Sequence, residues 1–192
     1  NNTFRTIKGT KDILPIESDR WRKLENVIHD TMKNWGYGEI RTPVFEQTGL
    51  FERSVGKDSD IVSKQMYTFM DQSKMSLTLR PELTAPTMRA YIQHNMERDG
   101  AMTKIYYMDT LFRQERPQAG RLRQFSQFGA EAIGSPNPEQ DAEVISLLCN
   151  LLDKLNVEKY EVVINSIGSA SSKESYRTAL VNYLTPFKND LS

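Results

Sequence analysis

Two strand-like runs, residues 104–115 and 122–133, stand only six residues apart and constrain this chain more than any other feature. Runs of that length, rich in β-branched and aromatic residues and joined by a loop with Pro117 and Gly120, predict a long antiparallel hairpin. Neither strand alternates cleanly between apolar and polar positions, so one face must bury while the other carries chemistry or water.

The rest of the chain supplies helices to cover such a sheet. Trp21, Leu24, Val27, Ile28, Met32 and Trp35 recur at spacings of three and four, which predicts a helix over 17–35 with Ser18 at its start and Gly36 at its end. A strand is expected at 37–45, with Pro43 marking an edge, an end or irregular pairing, and a short helix at 46–54. Residues 66–70 and 75–79 read as strands joined by a polar turn, and 84–98 as a helix with Pro86 in its first turn. Ile145, Leu148, Leu152 and Leu155 give the helix 138–155 its predicted stripe. A strand at 160–164 and a final helix from about 172 follow, the latter with Ser171 and Glu174 in capping-box spacing and a stripe of Tyr176, Leu180, Tyr183, Leu184 and Phe187. Helices interleaved with mainly antiparallel strands, without regular strand–helix–strand alternation, predict an α+β fold.

Composition narrows the function classes. Lys+Arg and Asp+Glu both number 25, so contact with nucleic acid would need a local basic patch. No stretch approaches the ~20 apolar residues that a membrane helix requires. The single cysteine, Cys149, excludes an internal disulfide, leans toward the cytoplasm and reads as packing within an apolar run. His29 and His94 lie far from each other and from any metal-ligand cluster, so no metal site is expected and both read as residues on helix faces. Gly9, Thr10 and Lys11 lack the spaced glycines of a phosphate loop and read as a surface turn.

The polar face of the hairpin is the informative one. Arg113 and Glu115 share a side of the first strand; Arg123, Phe125, Gln127, Gly129 and Glu131 share a side of the second. Phe128, Ala130 and Ala132 lie on the opposite side and suit a helix-packed core. A solvated strand can look like this. A ligand site also can: Arg113 suits a phosphate or carboxylate, Phe125 offers a stacking surface, and Gly129 leaves room for close approach to the backbone. A second polar cluster, Leu79 to Thr84, has two readings as well. Thr84 and Glu82 either cap a helix start or supply a hydroxyl and a carboxylate to an ammonium group.

These strings resemble those of a known family. Arg113-Gln114-Glu115, the loop, then Gly120-Arg121-Leu122-Arg123-Gln124-Phe125 resembles motif 2 of class II aminoacyl-tRNA synthetases. Arg116-Pro117-Gln118-Ala119-Gly120-Arg121 with Gln127-Phe128-Gly129-Ala130-Glu131 is similar to the histidyl-tRNA synthetases in particular. Leu79-Arg80-Pro81-Glu82-Leu83-Thr84-Ala85 resembles that family's amino-acid loop, and the first helix with Arg41-Thr42-Pro43-Val44-Phe45-Glu46 resembles its dimer-forming motif 1. Lys8-Gly9-Thr10-Lys11-Asp12-Ile13-Leu14-Pro15 also fits. The likeness covers residues 5–168, in order and at family spacing.

The resemblance implies a class II catalytic core over 1–168, the start of a helical insertion over 169–192, and activation of L-histidine by ATP with Mg²⁺, followed by transfer to tRNA(His). It implies that Arg113 holds the α-phosphate and the histidine carboxylate, that Glu115 accepts from the adenine amino group, and that Phe125 stacks on adenine. Arg121 would reach the outer phosphates of ATP from the loop, with Arg123 nearby. Glu82, Thr84 and Gln127 would grip the α-ammonium, Glu131 would face the imidazole, and Pro43 would lie at a homodimer interface. Ser126 and Leu83 depart from a histidine and a glycine common at those places. Nothing resembles motif 3 or an anticodon-binding domain, which predicts a fragment with weak or no adenylation of its own. The nearest rival, the synthetase-like regulatory subunit of ATP phosphoribosyltransferase, is disfavoured by Phe51-Glu52-Arg53-Ser54-Val55-Gly56, Asp60-Ile61-Val62 and Lys64-Gln65-Met66-Tyr67-Thr68-Phe69.

Overall fold

A computed structural model describes residues 3–56, 59, 61–99, 102–116, 120–165 and 168–188. Asp60 and the loop residues Pro117, Gln118 and Ala119, all used in the sequence reading, lie outside the described residues. Two compact units divide the chain after Val157.

The first unit is α+β, as expected. Its order is α1 (Pro15–Asn34), β1 (Gly38–Glu39), β2 (Phe45–Gln47), α2 (Thr48–Val55), β3 (Thr68–Met70), β4 (Ser76–Leu79), α3 (Thr84–Gln93), β5 (Thr103–Phe112), β6 (Gln124–Ile133) and α4 (Pro138–Lys154). One sheet has the order β1-β5-β6 and the other β2-β4-β3. All pairings among these strands are antiparallel except β1 with β5.

Helix α1 begins earlier than the apolar stripe suggests. Pro15 occupies the first turn and Leu14 the cap, so Ser18 lies inside the helix and its N–H donates to the Leu14 carbonyl (2.8 Å). Proline needs no N–H partner there and its fixed φ suits the start. The predicted end holds: Gly36, at φ +77°, lets its own N–H reach the Lys33 carbonyl (3.1 Å) and the Tyr37 N–H reach that of Met32 (2.9 Å).

The single strand expected over 37–45 is two strands in different sheets. β1 pairs with β5, β2 pairs with β4, and Thr42 and Pro43 lie at the break. Proline cannot donate to a ladder, and the chain changes sheets where that donor is missing.

The hairpin β5–β6 pairs in register from Thr103↔Ile133 to Phe112↔Gln124. Its even-numbered face carries Tyr106, Met108, Phe128, Ala130 and Ala132 onto Ile28 and Met32 of α1 and Leu147 and Leu151 of α4. The stripe of α4 is therefore rotated from the expected one. Leu147 and Leu151 are buried while Leu148 is 50% exposed. His29 is tied into this layer, its Nδ1 lying 2.6 Å from the Tyr106 hydroxyl.

In the second unit, residues 160–164 form no strand; Val163 and Ile164 are exposed. A strand exists only as a member of a ladder, and no described segment pairs with this one. Helix α5 (Ala170–Leu184) is capped by Ser169, whose hydroxyl accepts from the Ser172 N–H (3.2 Å), not by the expected Ser171–Glu174 box. Its aromatic stripe is largely exposed.

Candidate substrate site on the hairpin

The odd-numbered face of the hairpin turns away from α1 and α4. Ile105, Tyr107, Asp109 and Leu111 of β5 stand opposite Glu131, Gly129, Gln127 and Phe125 of β6. Leu83, from the segment entering α3, is buried against Tyr107 and Leu111, with Ile40 and Phe125 beside them. That apolar contact brings the segment 81–84 over the strand face, which sequence separation alone does not require. Leu83, a departure from the family pattern, is thus a packing residue, and Ser126 lies on the other face opposite Thr110.

Around this contact the polar side chains converge. The Arg113 guanidinium lies 5.2 Å from the centre of the Phe125 ring, and its Nε donates to the Pro81 carbonyl (2.9 Å). The Ala85 N–H donates to both Glu82 carboxylate oxygens (3.1 and 3.2 Å). Glu82, not Thr84, therefore supplies the side chain that caps α3, while Leu83 occupies the cap position. The Tyr107 hydroxyl donates to Glu131 Oε1 (3.1 Å) and lies 3.4 Å from the Thr84 hydroxyl.

The electrostatics are those of an anionic cluster with one cation, Arg113, beside it. Burial pushes the Glu82 carboxyl above its usual range; Glu131 pushes the same way, whereas the Ala85 and Thr84 backbone and Arg113 oppose it. Tyr107 is pushed up to about 12, first by burial, and it stays a neutral donor.

Tyr107 is absent from the sequence reading, although it shares strand parity with Arg113. It also corrects the account of Gly129. A Cβ there would meet the Tyr107 ring at 2.6 Å, so the space beside the backbone is filled by the neighbouring strand's own side chain. Gln127 is exposed beside Asp109 on the same face.

Glu115 and Arg121 line a hollow of about 450 Å³, together with Lys64, Gln65, Gln114 and Arg116. Gln114 N–H donates to the Gln65 carbonyl (2.6 Å), which holds the strand end against the segment before β3. Glu115 Oε2 is buried, accepts no hydrogen bond among the described residues and lies 3.7 Å from Arg121 in an ion pair. A buried carboxylate oxygen of this kind can accept a hydrogen bond from a ligand. Arg123 is directed elsewhere: its Nε donates to the Glu115 carbonyl (3.3 Å), and its N–H donates to the Gly9 carbonyl (2.7 Å). A Cβ at Gly9 (φ +91°) would meet the Arg123 stem at 2.8 Å, and the Gly9 carbonyl also accepts from the Gln124 N–H (3.4 Å), so the predicted surface turn is also a clamp on β6. Pro43 stands apart from these residues, at the break between the sheets; it is exposed and its carbonyl accepts from Arg80 (3.4 Å). Among the described residues, no group of three or more His, Cys, Asp or Glu is placed to hold a metal ion.

Comparison with known proteins finds matches over most of the chain. The family model for histidyl-tRNA synthetase matches residues 9–172. The chain is 52% identical over 184 residues to histidine–tRNA ligase of Chloroherpeton thalassium, covering 95% of this chain and 43% of that protein. It is 51% identical to the Bacillus subtilis ligase, covering 93% of this chain and 42% of the relative. Among solved structures, apo histidyl-tRNA synthetase of S. aureus superposes with a TM-score of 0.77 at 38% identity, over 99% of this chain and 44% of that one. A Bacillus halodurans structure described as an ATP phosphoribosyltransferase regulatory subunit/histidyl-tRNA synthetase has a TM-score of 0.70 at 27% identity, over 83% of this chain and 40% of that one. The chain therefore spans less than half the length of the proteins it matches.

Proposed function

The chain belongs to the histidyl-tRNA synthetase family, and on that premise we propose that the polar cluster on the hairpin face receives histidine and the hollow beside Glu115 receives ATP for the formation of histidyl-adenylate, which precedes transfer to tRNA(His). The observation that carries this reading is the polarity of that cluster. Arg113 lies at one end and Glu82, Thr84, Tyr107 and Glu131 gather at the other, a match to the opposite charges of an amino acid.

In this reading Arg113 holds the histidine carboxylate and the α-phosphate, its plane fixed by Phe125 and Pro81. Glu82, Thr84 and Gln127 take the α-ammonium, and Glu131 faces the imidazole. In the hollow beside it, the buried Glu115 Oε2 accepts from the adenine amino group. Phe125 stacks on the base, Arg121 meets the outer phosphates, and Arg123 supports the Glu115 backbone. The substrate carboxylate attacks the α-phosphorus and pyrophosphate leaves, so the protein supplies placement and charge rather than a nucleophile. Magnesium suits this donor set as an ion carried by the phosphates, because it keeps several waters and takes few protein carboxylates. When bound, it neutralises phosphate charge.

The exposed apolar surface of β2 and β3 supports a homodimer with Pro43 at its edge. Phe45 and Phe69 meet edge to face at 6.4 Å and remain 49% and 44% exposed. Residues 1–168 would form the catalytic core and 169–192 would begin a helical insertion, in a protein acting in the cytoplasm.

Histidine-dependent exchange of pyrophosphate into ATP by the full-length gene product tests the reading. Glu131→Ala should lower that exchange roughly 10- to 100-fold, because a buried charge-assisted hydrogen bond is lost, while ATP binding measured calorimetrically stays near native. Unchanged exchange in the variant contradicts the role of Glu131. Histidine binding by the native protein without any exchange would favour the regulatory-subunit reading.

A further inference from the structure

Arg80 has no part in the contacts assigned to substrate, yet its side chain is only 1% exposed. Every nitrogen of its guanidinium is engaged. Nε donates to the Thr110 carbonyl (2.9 Å), one Nη donates to the Thr42 carbonyl (2.8 Å) and less closely to that of Pro43 (3.4 Å), and the other pairs with the Asp109 carboxylate. The backbone is fixed as well. Arg80 N–H donates to the Val44 carbonyl and its own carbonyl accepts from Phe112 N–H, each at 3.0 Å. Burying a cation is costly, and an apolar side chain of similar volume would fill the space more cheaply. What an apolar side chain lacks is the planar fork, which locks two carbonyls and a carboxylate in one fixed arrangement.

The next residues are those that shape the polar cluster on the hairpin face. The Pro81 carbonyl holds Arg113, the Glu82 carboxylate receives the Ala85 N–H, and Thr84 opens α3. Asp109, the counter-charge of Arg80, stands opposite Gln127 on the same strand face. The geometry points to Arg80 as a positioning residue: its guanidinium clamps the start of the segment 81–84 against β5 and the 42–44 strand break, and so sets where Pro81 orients Arg113 and where Glu82 presents its carboxylate. The substrate side of this inference rests on the histidine-activation reading; the mechanical side does not.

Two variants of the full-length gene product test it. Arg80→Lys keeps the charge and an ion pair with Asp109 but cannot span both carbonyls. Asp109→Asn keeps the fork and removes its counter-charge, and serves if the first variant does not fold. Backbone hydrogen exchange reads the clamp without substrate. The Ala85 and Phe112 amides should exchange about 10-fold faster, the loss expected of one hydrogen bond, while amides of α1 and α4 keep native rates. Acceleration spread evenly over the chain, or none at Ala85, overturns the proposal.

Kinetics read the consequence. The KM for histidine should rise several-fold more than the KM for ATP. In an Arg113→Lys background, the further effect of Arg80→Lys should largely disappear, as expected of residues acting through one another. Equal rises in both KM values with full additivity also overturn it. If the native protein shows no histidine-dependent exchange, the function reading falls, and the amide exchange at Ala85 still decides the clamp.

Discussion

Glu82 is held in tension between two requirements. Its carboxylate caps α3 and lies within reach of the charges of Arg113 and Glu131, yet burial raises its pKa above the usual 4.5. A raised folded-state pKa contributes stability that is fully present below the unfolded value and is lost as pH rises through the folded value. At neutral pH the ionised group therefore opposes folding. Glu82→Gln should raise the urea midpoint at pH 7, and the gain should vanish as pH falls toward 4.5. The same variant should weaken histidine binding, the exchange of function for stability expected at a binding site. A native protein more stable than the variant at pH 7 would contradict the burial argument. Residue-level chemistry was partly legible beforehand. Strand parity grouped Phe125, Gln127, Gly129 and Glu131 on one face, as the register has them. Parity does not say what lies across the ladder, so Gly129 was read as room for a ligand when the Tyr107 ring fills it.

At the scale of elements, periodicity located helices and strands well but not which side each helix buries. Helix α4 is apolar over Val144, Ile145, Leu147, Leu148, Leu151 and Leu152, a stripe wider than one neighbour can cover. Contact with the even-numbered sheet face selects Leu147 and Leu151 and leaves Leu148 half exposed. Leu151→Ala should accordingly cost about 2–5 kcal/mol, with a cavity left behind, whereas Leu148→Ala should cost within about 0.5 kcal/mol. Urea unfolding of the two variants checks the order; equal losses would mean that Leu148 is covered in solution. The expected strand over 37–45 divided for a related reason. Its apolar residues suited either sheet, and only pairing with β5 on one side of Pro43 and β4 on the other decided where each part went.

At the scale of the molecule, the sheet β2-β4-β3 leaves Phe45 and Phe69 about half exposed among the described residues. An exposed apolar patch of this kind suits an interface, and the proposed homodimer would bury it. Phe69→Glu in the full-length gene product should shift sedimentation equilibrium from dimer toward monomer while leaving the circular dichroism spectrum native. A dimer of undiminished affinity would place the interface elsewhere. Among the described residues, no helix is long and apolar enough to cross a membrane.

By itself the sequence determined the hairpin, its two unlike faces, the helices available to cover one of them, and the order of family motifs from Lys8 to Glu131. Those features are local, set by side-chain period, proline and glycine positions, and short strings. Tertiary structure decided what local rules do not encode. It brought the segment 81–84 over the strand face through Leu83, laid Tyr107 against Gly129, and joined Arg80 to Asp109. Each of these depends on a contact between segments far apart in the chain, chosen by shape and charge once the elements had packed.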